Sequence, residues 1–416
     1  MKNRVRPTNL ARGSSRPRMT AVIVAAAILS IITAACGSSG SNSASSASKV
    51  ITVGMASVLS GPASSAAAAD NGAIAYLKSI NAAGGVNGYT FKWDLADTQE
   101  TIPQTVSALQ TLGKVDHAQA IMGPGTNPIL ATRPVANQYN LPIFLAGNGS
   151  LFTNPVVPNM FGIDPNYDSL WEALYSVGRQ LANNGPVGLV AEADSNGVPA
   201  ISAIPPYAKS IGVPGPAMTL QVSLTETDCS PFAAKLKSIG AKVVLMALNT
   251  QPAVCMVKAA DALDYHPKFL SWWTESGPAY DALIGPLAVG TYYVDFNEPI
   301  NQSTPQTSQY KQVMSKYDPK DAGAGLAEQG YDFAAILVQA VKLVTADGKP
   351  FSEDALLNTL NTHFTGQPVG LLDALAYNST SHSGATKVSL FEATSADGSS
   401  KLIQADITLP KPMASQ

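Results

Sequence analysis

The chain has 416 residues and a formal charge of −3, with 45% hydrophobic and 13% charged residues, more than a single buried core usually holds. Residues 1–35 carry six basic side chains (Lys2, Arg4, Arg6, Arg12, Arg16, Arg18) and no acid, so the remainder sets 20 basic residues against 29 acidic ones, a formal charge of −9. That acidic body lacks the clustered Lys and Arg that nucleic acid binding needs, and it offers no basic face for anionic lipid.

The basic start leads into an apolar run at 21–33, thirteen residues against the ~20 that a spanning helix requires. Ala34-Ala35-Cys36 and a Gly/Ser-rich stretch follow. This order reads as a secretion signal, and a cysteine at the cleavage edge resembles the lipobox of bacterial lipoproteins. The resemblance implies a signal peptide at 1–35 and lipidation of Cys36, holding the protein on the outer face of the bacterial cell membrane. An ordinary secretion signal with a chance cysteine, or an uncleaved anchor, are the alternatives. Residues 36–49, rich in Gly, Ser and Ala, read as a flexible tether. No later segment is apolar for long enough to span a bilayer. With Cys36 assigned to lipid, Cys229 and Cys255 remain as a disulfide pair in an oxidising compartment, or else as two buried thiols.

From Val50 onward strand-like and helix-like segments alternate. The β-branched run 51–58 predicts a buried strand, and 70–83, with Ala73, Leu77, Ile80 and Gly84 in helical spacing, predicts an amphipathic helix. A strand at 90–95, a helix at 101–112, a strand at 118–122, a helix at 129–140 and a strand at 141–146 follow. The pattern repeats as strands at 187–191, 218–222, 242–248 and 268–272, with helices at 200–211, 232–239 and 252–263 between them. Repeated βαβ units predict parallel sheets covered by helices, here an α/β protein of two lobes. The tail holds helices near 307–316, 325–343 and 353–361 and strands at 387–392 and 402–407. It is too short for a third lobe and is expected to complete both sheets by crossing between them.

Several short motifs in a fixed order then point to a family. Ser60-Gly61-Pro62 follows the first strand, and Asn81-Ala82-Ala83-Gly84-Gly85-Val86-Asn87-Gly88 the first helix. Asp97 closes the second strand and Ile121-Met122-Gly123-Pro124 the third. Thr227-Asp228, Lys235-Leu236-Lys237 with Gly240, and Gly330-Tyr331-Asp332 come later. Together these resemble the type I periplasmic binding proteins, in the leucine/isoleucine/valine-binding branch that serves ABC importers. The resemblance implies two doubly wound parallel-sheet lobes joined by three crossover strands, near 162–168, 294–299 and 378–386. Lobe 1 would comprise 50–165 and 297–380, and lobe 2 would comprise 166–296 and 381–412. A ligand would lie between the lobes and be buried by hinge closure.

In open α/β sheets ligands sit beyond the carboxyl ends of strands. In lobe 1 those positions are the loops 60–65, including Ser64, then 123–127 and 147–150. The resemblance implies that the 125–127 loop binds a ligand carboxylate, with Thr126 the matching residue and Asn127 the next. Asn148 and Ser150 fall where the family makes a second carboxylate and amine contact. Turn formation is the competing explanation for these Gly, Asn and Ser residues. Lobe 2 offers loops 193–197, 249–251 and 272–275. Asn249 stands where relatives commonly carry an aromatic, Asn196 where many carry tyrosine, and Glu275 lies one or two places late for the acid that caps a ligand amine. Trp272 and Trp273 are suited to walling an apolar ligand, with core packing as the alternative. Tyr331 is expected to reach the cleft from a late helix.

An enzyme has no support in this sequence. His117, His266, His363 and His382 are isolated, no nucleophile elbow or phosphate loop occurs, and no metal or cofactor is implied. The expectation is a monomeric, lipid-anchored solute-binding protein that delivers a small amino-acid-like, amide or carboxylate ligand to ABC permease subunits. A sensor of the same fold is the alternative.

Overall fold

The computed structural model describes residues 49–411 apart from 124, 148–155, 301, 365, 366 and 376. Cys36, with 37–48 of the tether, and Asn148 and Ser150 lie outside the described residues. Strand β1 (Lys49–Ser57) is buried on both faces, as a strand covered by helices on either side must be. Ile51, Val53 and Met55 pack toward Ala69, Ala73 and Leu77, while Ala56 packs with Leu109, Leu112 and Ile121 on the opposite face. With β2 (Tyr89–Asp97), β3 (Ala120–Met122), β4 (Ile143–Leu145) and β5 (Met160–Gly162) it forms an all-parallel sheet in the order β2-β1-β3-β4-β5. Helices α1 (Ala67–Ala82), α2 (Ile102–Lys114) and α3 (Ile129–Tyr139) connect these strands.

The second sheet begins after α4 (Tyr167–Leu181), a helix beyond those expected from the sequence. Asn166 caps it, its Oδ1 accepting from the Ser169 amide at 3.2 Å, and it buries Leu170, Trp171, Leu174 and Tyr175. Strands β6 (Val187–Glu192), β7 (Met218–Val222), β8 (Val243–Ala247), β9 (Lys268–Ser271) and β10 (Tyr292–Asp295) alternate with α5 (Val198–Ser210), α6 (Ser230–Ser238), α7 (Thr250–Ala262) and α8 (Gly277–Ile284). These five strands are parallel; two antiparallel strands extend the sheet beyond β10.

The tail holds α9 (Pro305–Tyr317), α10 (Gly325–Val344), α11 (Glu353–Thr362), the hairpin β11 (Gln367–Val369) and β12 (Leu372–Leu375), and then β13 (Lys387–Ala393) and β14 (Ser400–Thr408). The expectation that its strands complete both sheets is corrected. Among the described residues, β13 and β14 both join the second sheet, in the order β14-β13-β10-β9-β8-β6-β7, and the hairpin stands apart. The reason lies at the edge of the first sheet. There the connecting segment runs beside β5, with the Gly162 amide on the His382 carbonyl at 2.9 Å and the Ala385 amide on the Ile163 carbonyl at 3.1 Å, and it occupies the edge a further strand would need.

Two features brace this frame. Cys229, just before α6, and Cys255, inside α7, form a disulfide with Cα atoms 5.6 Å apart. Closing a loop of 26 residues in the unfolded chain corresponds to roughly 3.5 kcal/mol in the chain-entropy model. Helices α1 and α10 cross at two glycines: a Cβ on Gly72 would stand 1.9 Å from the Ala327 carbonyl oxygen, and one on Gly330 would stand 1.7 Å from that of Ala69. Only glycine permits so close an approach.

Candidate ligand-binding cleft

The carboxyl ends of strands from both sheets meet around a cavity of about 90 Å³. Ser57 and Val58 come from the end of β1, Met122 and Gly123 from β3, Asn249 from beyond β8, and Trp272 and Trp273 from beyond β9. Helix α1 supplies Asp70 and α10 supplies Gln329, brought side by side by the glycine crossing. A larger hollow of about 640 Å³ lies beside the connection 296–300, against Tyr293, Tyr310 and Phe391. The smaller cavity is the candidate site because strand ends of both lobes converge on it.

Its walls include an aromatic cluster and three acids. The rings of Tyr167 and Trp272 lie 5.0 Å apart, and those of Trp272 and Trp273 lie 5.4 Å apart. The Trp272 indole N–H donates to the Leu248 carbonyl at 2.8 Å, which fixes that ring. Burial pushes the Asp70 carboxyl up to about 7 although a Ser57 hydrogen bond opposes it, and pushes Asp164 up to about 8. Asp164 accepts from the Gln329 amide and, at 3.4 Å, from the Tyr167 hydroxyl. Burial, with Asp194 nearby, raises Glu100 to about 7, while its carboxyl accepts from the Asn127 backbone amide and the Asn196 side chain. Behind this wall Glu192 accepts from the Asn249 amide and side chain, both at 2.8 Å, and burial raises it to about 8.

The residues expected to hold ligand divide sharply. Thr126, Asn249, Trp272 and Trp273 line the cavity. Thr126 shares a side-chain hydrogen bond with Tyr167, and Asn249 faces Glu192. Asn127 does not line the cavity. It bridges to lobe 2 instead, donating to Asp194 Oδ2 and accepting from the Ser195 amide, both at 3.2 Å. Glu275 is buried one step behind, bonded to Thr274 at 2.7 Å, with its Oε1 unpartnered. Ser64 is exposed at the mouth of a separate hollow.

The expectation for Tyr331 is corrected: its ring packs 4.6 Å from Tyr76 and 5.0 Å from Tyr310, in a core away from the cavity. On α10 the residues facing the cavity are Leu326 and Gln329, and two positions beyond Gln329 along a helix the side chain points about 200° away. The sequence reading also missed Asp70, Glu100, Asp164 and Tyr167, since the burial of a polar side chain is set by distant elements and leaves no local mark. No group of three or more His, Cys, Asp or Glu among the described residues is placed to hold a metal ion.

The model of a family described as "periplasmic binding protein" matches residues 50–399. The chain belongs to that family. Its members work outside the cytoplasm as substrate-binding proteins and not as enzymes. This binding protein superposes on a branched-chain amino acid ABC transporter protein from Thermus thermophilus with bound valine, with a TM-score of 0.76 and 19% identity over 86% of this chain and 97% of the other. LivJ from Streptococcus pneumoniae with isoleucine gives 0.74 at 14% identity, over 86% of this chain and 100% of that one. A fatty acid ABC transporter substrate-binding protein from Thermomonospora curvata gives 0.73 at 19% identity, over 86% and 92%. These likenesses establish the fold. No curated protein sequence matches the binding protein. Among its described residues no helix is long and apolar enough to cross a membrane.

Proposed function

We propose that this binding protein is the lipid-anchored receptor of an ABC importer: it closes its two lobes on a small solute of amino-acid size and hands the closed form to membrane permease subunits. The observation that carries the reading is the cavity walled by strand ends of both lobes, with Thr126 on one side and Trp272 and Trp273 on the other. Solved proteins of the same fold support it: two whose names give them to ABC transport, one of these with valine bound, and LivJ, named as a branched-chain amino acid transporter substrate-binding protein, with isoleucine bound. Lipidation of Cys36 supplies the tether in this reading, since the acidic body has no basic face to hold it at a membrane.

Melting the protein against amino acids, amines, amides and short acids tests the reading. A solute at about a hundred times its dissociation constant adds roughly 2.7 kcal/mol, a clear rise in Tm. A protein whose melt none of these solutes moves is not a receptor of this kind. The anchor is checked separately: cells fed an alkyne fatty acid should label the parent and leave Cys36→Ser unlabelled.

A further inference from the structure

We propose that the solute is an organic ammonium that carries no carboxylate, its N–H group held by Asp70 and its body packed among Tyr167, Trp272 and Trp273. This deepens the solute-binding reading above and rests on it. Four observations carry it.

First, the described residues lining the cavity include the carboxyls of Asp70, Glu100 and Asp164 and no Lys, Arg or His. Second, Asp70 is 2% exposed and its Oδ1 has no hydrogen-bond partner. A buried acceptor left without a donor is costly, and an ammonium N–H supplies both the donor and the opposite charge. Third, the loop that starts α3, where a carboxylate would find backbone amides, is already filled from within. Glu100 takes the Asn127 amide and packs on Gly125, where a Cβ would stand 2.6 Å from Glu100 Oε1. The Thr126 side chain is engaged with Tyr167. A ligand carboxylate would therefore meet another carboxylate at the amides that should receive it. Fourth, Tyr167, Trp272 and Trp273 form one part of the remaining wall, and the faces of Trp and Tyr attract cations, most strongly where water is excluded.

Two solute series with constant bodies separate the head groups. The isobutyl series is isoamylamine, isoamyl alcohol, isocaproate and leucine; the phenyl series is phenethylamine, phenethyl alcohol, hydrocinnamate and phenylalanine. Calorimetry on the purified protein is expected to show, in at least one series, the amine binding about tenfold or more tighter than its alcohol, acid and amino acid. Asp70→Asn should remove at least that tenfold, with its unliganded melt and circular dichroism confirming a folded protein. Glu100→Ala should work in the opposite sense, opening the α3 loop and raising affinity for leucine or isocaproate. An acid or amino acid that binds the parent as tightly as the matching amine overturns the inference and leaves the solute-binding reading standing. So does an amine whose affinity Asp70→Asn leaves unchanged. Absence of binding in both series overturns the inference, while the solute-binding reading falls only if the wider panel of amino acids, amines, amides and short acids also leaves the melt unmoved. If Asp70→Asn does not fold, the order of affinities in the parent decides alone.

Discussion

Asn127 uses its side chain on the opposite lobe. Its amide donates to Asp194 and its carbonyl accepts the Ser195 amide, so one residue makes a two-point clasp across the cleft. Each such bond contributes about 1 kcal/mol net, so the pair biases the closed form by about 1–2 kcal/mol. Asn127→Ala should therefore weaken solute affinity roughly fivefold to thirtyfold, through the closed population and not through lost ligand contact. Its unliganded Tm should stay close to the parent's. Calorimetry beside a thermal melt checks this, and unchanged affinity would mean that the clasp is no part of the bound state. The sequence marked Asn127 correctly as a loop residue at a strand end. Its partner comes from a loop 67 residues away, and no local pattern reports that distance.

At the scale of elements, the crossing of α1 and α10 does most to build the site. Gly72 and Gly330 allow backbone contact, and that contact sets Asp70 against Gln329 on the cavity wall. A Cβ at position 330 would stand 1.7 Å from a backbone oxygen, which no rotamer change relieves. Gly330→Ala should destabilise the protein by about 1–3 kcal/mol or more as the helices separate, and should also lose solute affinity because Asp70 and Gln329 move apart. Denaturant melts with a binding isotherm test both; a variant of parental stability would show that the helices slide without cost. Most elements of the two βαβ halves were legible because buried strands and amphipathic helices leave periodic patterns. Helix α4 and the strands β5 and β10 were not.

Over the whole molecule, the interior of the unliganded protein holds acids whose titration burial shifts upward. Asp70, Glu100, Asp164 and Glu192 are raised to between about 7 and about 8, and Glu172, Asp281 and Asp295 to about 7, in each case chiefly by desolvation. Their ordinary values are 3.8 for Asp and 4.5 for Glu. Between about pH 4.5 and about pH 8 the folded protein thus binds more protons than the unfolded chain, and stability falls as pH rises through that window. Buried His382, lowered from 6.5 chiefly by desolvation, acts in the opposite sense within this window but is a single group, while Asp97 and Asp397, lowered by hydrogen bonds from serines, titrate below it. The unliganded Tm should decline from pH 5.5 to pH 8.5 in constant salt. A rising or flat profile would mean that these carboxyls are already ionised in the folded state.

Most of the order of strands and helices, the α/β class and the acidic body follow from the sequence alone, which offered Cys229 and Cys255 as a pair or as two buried thiols until the structure joined them. Hydrophobic period, β-branched runs and glycine stops are local, and a parallel sheet needs both of its faces covered wherever it occurs. The tertiary structure alone decided which acids are buried, that Glu100 fills the α3 loop from within, that Asn127 clasps the other lobe, and that Gln329 rather than Tyr331 faces the cavity. Those outcomes depend on groups tens to hundreds of residues apart in the chain. Burial and electrostatic environment belong to the assembled molecule, not to any stretch of it.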